Sequence, residues 1–257
     1  MPSDPDSGGV SRQPETMEST SPAPILQILR EGQVEVVGQF TWSSNFTFLT
    51  KVTAGQVALQ AVYKPSEGEQ PLWDFPRGTL AAREIAAYLT SETLGWDFVP
   101  PTVMRSDGPA GPGSLQLFID TDYERHYFTF DEAEKDRLRP VAVFDLLINN
   151  ADRKGGHILL TNEGKIWLID HGVCFHAQDK LRTVVWDFVD EDIPEPILED
   201  VRAFSERLRK DPSLRDSFME LLEPAELEAL IHRTERLLAD PRFPEPGPGR
   251  PYPWPLV

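Results

Sequence analysis

The sequence predicts an α+β protein of two lobes: a strand-rich N-lobe with one helix, then a mainly helical C-lobe that carries a β-hairpin. Three observations predict it. Short apolar runs suited to strands fill residues 33–64 and 99–119, with one helical pattern between them. Two long stripes at three- and four-residue spacing close the chain: Ile197, Val201, Phe204 and Leu208, then Leu227, Leu230, Ile231, Leu237 and Leu238. The apolar connector Leu117-Phe118-Ile119 joins the halves. A cleft between two lobes is a natural seat for a small ligand.

Taken in order, residues 1–24 are poor in apolar side chains and rich in Ser, Pro, Asp and Glu, which predicts a disordered tail. The N-lobe spans 25–119. It opens with a short amphipathic turn or helix at 25–30, followed by strands at 33–40, 45–53 and 57–64, with Ala54-Gly55-Gln56 as a hairpin loop. Residues 78–95 are helical, with Gly95 as the stop. Two more strands, 99–104 and 114–119, flank a Gly/Pro-rich loop at 106–113. The C-lobe spans 120–243, with a buried helix at 141–149 and the two long helices. Residues 244–257 hold six prolines and form an extended tail, which we expect to pack on its own lobe because Trp254, Leu256 and Val257 gain from burial.

Composition narrows the function. A chain of 257 residues with 40% hydrophobic side chains can bury a real core. Its net charge of −17 argues against nucleic acid or an anionic membrane as the main partner. A single cysteine, Cys174, excludes an intrachain disulfide framework and fits a reducing, cytoplasmic setting. Cys174 reads as a buried structural thiol. No apolar run suits membrane insertion.

The most informative stretch is 148–172. A helix leads into a polar loop with Asp152-Arg153, then a hairpin at 157–170 turning at Asn162-Glu163-Gly164, then Asp170-His171-Gly172. Two carboxylates brought to one rim by a hairpin can orient a nucleophile and hold a metal, which is what phosphoryl transfer requires. Upstream, Lys64 ends a strand and Glu84 follows on the next helix. Such a pair can hold an ammonium rigidly over phosphate oxygens.

Strand lysine, helix glutamate, apolar connector, Asp-Arg loop, hairpin and Ile169-Asp170-His171-Gly172 occur in one order. In this the chain resembles the protein-kinase-like fold, in the branch of phosphatidylinositol 3- and 4-kinase-like and HipA-type enzymes, and within it a small bacterial phosphatidylinositol-kinase-like group. The resemblance covers about 33–240. It implies ATP and Mg²⁺ as cofactors, with Mn²⁺ as the alternative. It implies that Lys64 contacts nucleotide phosphates and Glu84 steadies it, and that Asp152 and Arg153 form the catalytic loop, Asp152 orienting the acceptor. Asp170 and His157 fall at the metal positions. Ser43, Ser44 and Asn45 fall on the phosphate-covering loop at 41–46, and Leu117, Phe118 and Ile119 on the adenine edge.

Three departures stand out. His157 replaces the second metal-binding Asn, and imidazole is a poor Mg²⁺ ligand; a hydrogen bond to phosphate is the alternative role. His171 replaces an aromatic, a change of packing. The 43–45 segment lacks glycine. The resulting expectation is a metal-assisted ATP-dependent phosphotransferase acting on a protein hydroxyl or small metabolite. The alternatives are an adenylyl transferase on the same fold and a nucleotide-binding pseudokinase or scaffold. A metal-dependent hydrolase is a weaker option.

Overall fold

The protein is described by a computed structural model covering residues 22–40 and 45–257. Helix α1 (Pro22–Glu31) leads into strands β1 (Gln33–Gln39), β2 (Phe48–Ala54) and β3 (Val57–Pro65). Helix α2 (Leu80–Leu94) follows, then β4 (Thr102–Gly108) and β5 (Gly111–Leu117). The five strands form one antiparallel sheet in the order β1-β2-β3-β5-β4. Helix α1 begins earlier than the amphipathic pattern at 25–30, taking in residues assigned to the disordered tail. Its C-terminal carbonyls are held by the buried Arg105, which donates to Leu29 O and Gly32 O at 2.9 Å each.

The strands alternate between two environments, as the pleat demands. Ala61 and Tyr63 of β3 face a core shared with Leu29, Val52, Val103 and Leu115. Val62 and Lys64 therefore point to the opposite face. The segment read as a loop at 106–113 is instead a tight hairpin, with β4 and β5 continuing to Gly108 and Gly111. The Tyr63 hydroxyl reaches across and donates to Gly111 O at 2.5 Å, while Gly113 lets the strands approach beside Lys64.

The second half begins with a short helix α3 (Glu132–Asp136), which the sequence pattern did not signal, and α4 (Arg139–Ile148). Strands β6 (Ile158–Leu160) and β7 (Ile166–Leu168) form the expected hairpin, shorter than the apolar runs. Three helices close this half: α5 (Glu195–Lys210), α6 (Pro212–Met219) and α7 (Pro224–Ala239). The expected pair becomes three because Asp211 ends α5 in extended backbone and caps α6, accepting from Ser213 and Leu214 N–H. The apolar stripes behave as core: Val201, Phe204, Leu208, Leu227 and Leu230 join Phe144, Leu147 and Ile148 of α4.

The Pro-rich tail packs on its own lobe, though by other groups than expected. Pro251 O accepts from Thr183 N–H at 3.1 Å, and Leu256 O accepts from Gly155 N–H at 2.7 Å. Trp254, Leu256 and Val257 stay exposed, and Pro253 takes the buried place. Among the described residues no helix is long and apolar enough to cross a membrane.

A Cβ at Gly113 would collide with the Lys64 carbonyl and lie 2.8 Å from Pro65 Cα, both rigid backbone. Gly113→Ala is therefore expected to cost about 1–3 kcal/mol of stability, read by urea unfolding. An unchanged midpoint would show that the β3–β5 spacing is not tight there.

Candidate active site

Lys64 lies at the end of β3, on the face of the sheet opposite its core. Its Nζ pairs with Glu84 Oε1 on α2 and, at 2.9 Å, with Asp170 Oδ1 just beyond β7. Burial alone would favour the neutral amine, but the two carboxylates outweigh it and hold the ammonium protonated well above its ordinary range. The other Glu84 oxygen accepts from His171 N–H at 3.0 Å. One buried carboxylate thus ties the strand lysine to the loop that carries Asp170.

Asp170 adopts a left-handed backbone (φ 61°), which turns its side chain out of the hairpin line. Burial would raise its pKa, but Lys64 and then His157 lower it, so the carboxyl is held well below the usual carboxylate range. His157 Nε2 lies 3.4 Å from Asp170 Oδ2, and burial pushes the imidazole pKa down to about 4. Its Nδ1 accepts from Lys154 N–H at 3.4 Å, so the remaining proton sits on Nε2 and faces Asp170. In this tautomer His157 offers a donor rather than a lone pair towards Asp170.

Asp152 occupies the loop between α4 and β6. Burial raises its pKa to about 6, partly opposed by Lys154, whose Nζ is 3.2 Å from Oδ2, while Asp170 adds to the rise. The loop is fixed by Asp152 N–H donating to Asn150 Oδ1 at 3.0 Å and Ala151 N–H to Val173 O at 3.1 Å.

Arg153, expected on the catalytic loop, is turned into the protein interior. Its side chain is fully buried and paired with the equally buried Asp145 of α4, Nη2 to Oδ1 at 2.9 Å and Nε to both oxygens at 3.1 Å. It also donates to Ile169 O at 3.1 Å and to His171 Nε2 at 2.9 Å. Its fork joins the Asp152 loop to the Asp170 loop. His171, fully buried, is kept neutral by burial and by Arg153, with its proton on Nδ1.

The connector is less open than expected. Leu117 N–H donates to Pro101 O and Phe118 N–H to Gln60 O, while Ile119 O accepts from the Tyr123 hydroxyl. The first two amides are committed to the sheet and cannot read a ligand edge; Ile119 N–H is the amide left. Of the phosphate-covering loop, Ser43 and Ser44 lie outside the described residues. Asn45 Oδ1 accepts from Gln70 N–H at 2.8 Å, so this side chain braces a neighbouring loop.

Among the described residues no group of three or more His, Cys, Asp or Glu converges as a metal cage. A nucleotide-borne Mg²⁺ needs only one or two protein carboxylates, the rest of its shell being water and phosphate. Asp170, ionised and half exposed, meets that requirement.

The pattern of residues left Asp145, Asn150 and Lys154 unnoticed. Asp145 had a signal: a lone carboxylate inside the apolar run Val141-Ala142-Val143-Phe144-Asp145-Leu146-Leu147-Ile148 must find a buried partner.

Fold and site together define a two-lobed α+β protein that brings Lys64, Glu84 and Asp170 together beside the loop carrying Asp152. The chain belongs to the family of Protein Rv2133c from Mycobacterium tuberculosis, with which it shares 40% identity over 263 residues, 89% of this chain and 94% of that one. It is also 28% identical over 186 residues to phosphatidylinositol 4-kinase gamma 4 of Oryza sativa, covering 57% of this chain and 32% of that one. The Arabidopsis thaliana phosphatidylinositol 4-kinase gamma 4 matches at 32% over 134 residues, 42% of this chain and 24% of that one. The chain therefore spans about a third or less of these plant relatives. The solved structure of the Helicobacter pylori proinflammatory kinase CtkA aligns with a TM-score of 0.45 at 12% identity, covering 81% of this chain and 97% of that one. No family model matches the chain.

Because Arg153 is structural, Arg153→Met should strand Asp145 as a buried unpaired charge and cost about 3–5 kcal/mol of stability in urea unfolding. A variant as stable as wild type would return Arg153 to the list of catalytic candidates.

Proposed function

We propose that this protein is a kinase-like, ATP-dependent phosphotransferase that moves a phosphoryl group to the hydroxyl of a protein side chain or small metabolite. The observation that carries the reading is Lys64 held between Glu84 and Asp170, with Asp152 on the adjoining loop. Such a cation, kept charged by two carboxylates, is built to exchange one of them for phosphate oxygens. The sequence similarity to plant phosphatidylinositol 4-kinases supports a kinase-like chemistry, while the charge of −17 and the reducing habit of a lone buried thiol favour a soluble acceptor in the cytoplasm.

In this reading Lys64 meets the nucleotide phosphates and Glu84 fixes its height in the cleft. Asp170 holds the metal. Bound Mg²⁺ would neutralise phosphate charge during transfer. His157 donates from Nε2 into the same space, towards Asp170 before nucleotide binds. Asp152 orients the acceptor hydroxyl and takes its proton late, a task suited to a carboxylate of raised pKa. Ile119 N–H is the remaining amide for the base edge.

Asp152→Asn should abolish transfer, measured as a phosphate-sized mass gain on acceptor or on the protein itself, while leaving ATP binding largely intact. Normal turnover would remove Asp152 from its role. Asp170→Ala should erase the Mg²⁺-dependent thermal shift with ATP, which for wild type at a hundredfold excess over Kd is about 2.7 kcal/mol.

The pH dependence has a definite sign. Transfer should rise as pH climbs through about 6, because the base form of Asp152 is required. Stability moves the other way. A carboxyl whose folded pKa is raised above its unfolded value contributes stability below the unfolded pKa and loses it as pH rises through about 6. Asp152→Asn should therefore be more stable than wild type at pH 7, by about 1–3 kcal/mol, and not at pH 4. Equal midpoints at both pH values would show that Asp152 is not desolvated.

A further inference from the structure

We propose that the cleft opens between the five-stranded sheet and a second body to which α2 belongs, with the Arg83–Glu226 pair as the bolt that fixes α2 there. In sequence α2 interrupts the sheet, so it reads as part of the first lobe. Its first turn is capped by Glu69, on the segment after β3, which accepts from Leu80 and Ala81 N–H, but its buried side chains are held elsewhere.

Arg83 is buried, with Nη2 at 2.5 Å from Glu226 Oε1 on α7 and Nη1 donating to Cys174 O at 2.6 Å. The next residue, Glu84, accepts from His171 N–H. Two adjacent α2 side chains thus grip both ends of the His171–Cys174 segment. The far end of the helix is pinned to the same body: Trp96 Nε1 donates to Asp200 at 2.8 Å, and Leu168 N–H to Phe98 O at 2.7 Å. Ala86, Ala87, Tyr88 and Leu94 belong to the C-lobe core, whereas the sheet's core contains no α2 residue. Helix α2 does rest on β4 and β5, but among the described residues Lys64–Glu84 is its one side-chain hydrogen bond to the sheet.

Two of the chain crossings between the bodies lie side by side, at 98–101 and 117–120, joined by Leu117 N–H to Pro101 O at 2.9 Å. Pro100 and Pro101 stiffen the first crossing. A hinge at that edge carries Lys64 and the rest of the sheet on one side. Glu84, Asp152, His157 and Asp170 stay together on the other. Opening then breaks both Lys64 ion pairs at once and leaves the carboxylates in register. This division stands whether or not the protein transfers phosphate.

Hydrogen exchange on the full chain without ligand tests it. Val52→Ala, in the sheet core, should speed exchange in β1–β3 and leave the α2 amides unchanged. Arg83→Met should speed α2 exchange at least tenfold and leave β1–β3 unchanged; Glu226→Gln replaces it if the first variant does not fold. Faster α2 exchange in Val52→Ala, or no acceleration when the Arg83–Glu226 pair is altered, overturns the proposal.

Discussion

The buried pairing of Arg153 with Asp145 is the constraint on which the rest of the site depends. Two charges fully withdrawn from water are tolerable only when every donor and acceptor is matched. Here Asp145 accepts from Arg153, Asn150 and Thr183, and Arg153 spends its other donors on Ile169 O and His171. Three separated stretches of chain, 150–153, 169–171 and 183, meet at one ion pair. The positions of Asp152 and Asp170 follow from it, because each is the neighbour of a residue in that network.

Above this fixed floor the electrostatics are strained by design of the sequence. Asp170 is kept ionised by Lys64, while Asp152 and His157, on the loop before the hairpin, are pushed towards their neutral forms by burial. The same low-dielectric cleft therefore holds groups of divergent proton affinity. Divergence of this kind separates the tasks of binding charge and moving protons.

Much of this was legible in the chain. Short apolar runs gave the strands of the sheet, three- and four-residue stripes gave α5 and α7, and the turn residues gave the β6–β7 hairpin. Lys64, Glu84 and Asp170 could be named because a strand-end lysine, a glutamate on the next helix and a carboxylate closing a hairpin occur in one order, that of the kinase-like resemblance. What stayed hidden depends on partners distant in sequence. Nothing local says that Arg83 meets Glu226, or that the Leu117 and Phe118 amides are already taken by Pro101 and Gln60. The 106–113 segment misled because Gly and Pro mark a tight hairpin as readily as a loop. Trp254 misled because its apolar bulk argued for burial, while the tail is held by main-chain carbonyls.

The burial of Arg153 bears on how such chains diverge. Within the Asp152-Arg153 pair, folding demands the arginine and tolerates the aspartate at some cost. A descendant freed from selection for chemistry would keep Arg153 and drift at Asp152. The arginine of the motif then records ancestry of the fold and, on the function proposed above, the aspartate beside it is the residue whose persistence records use.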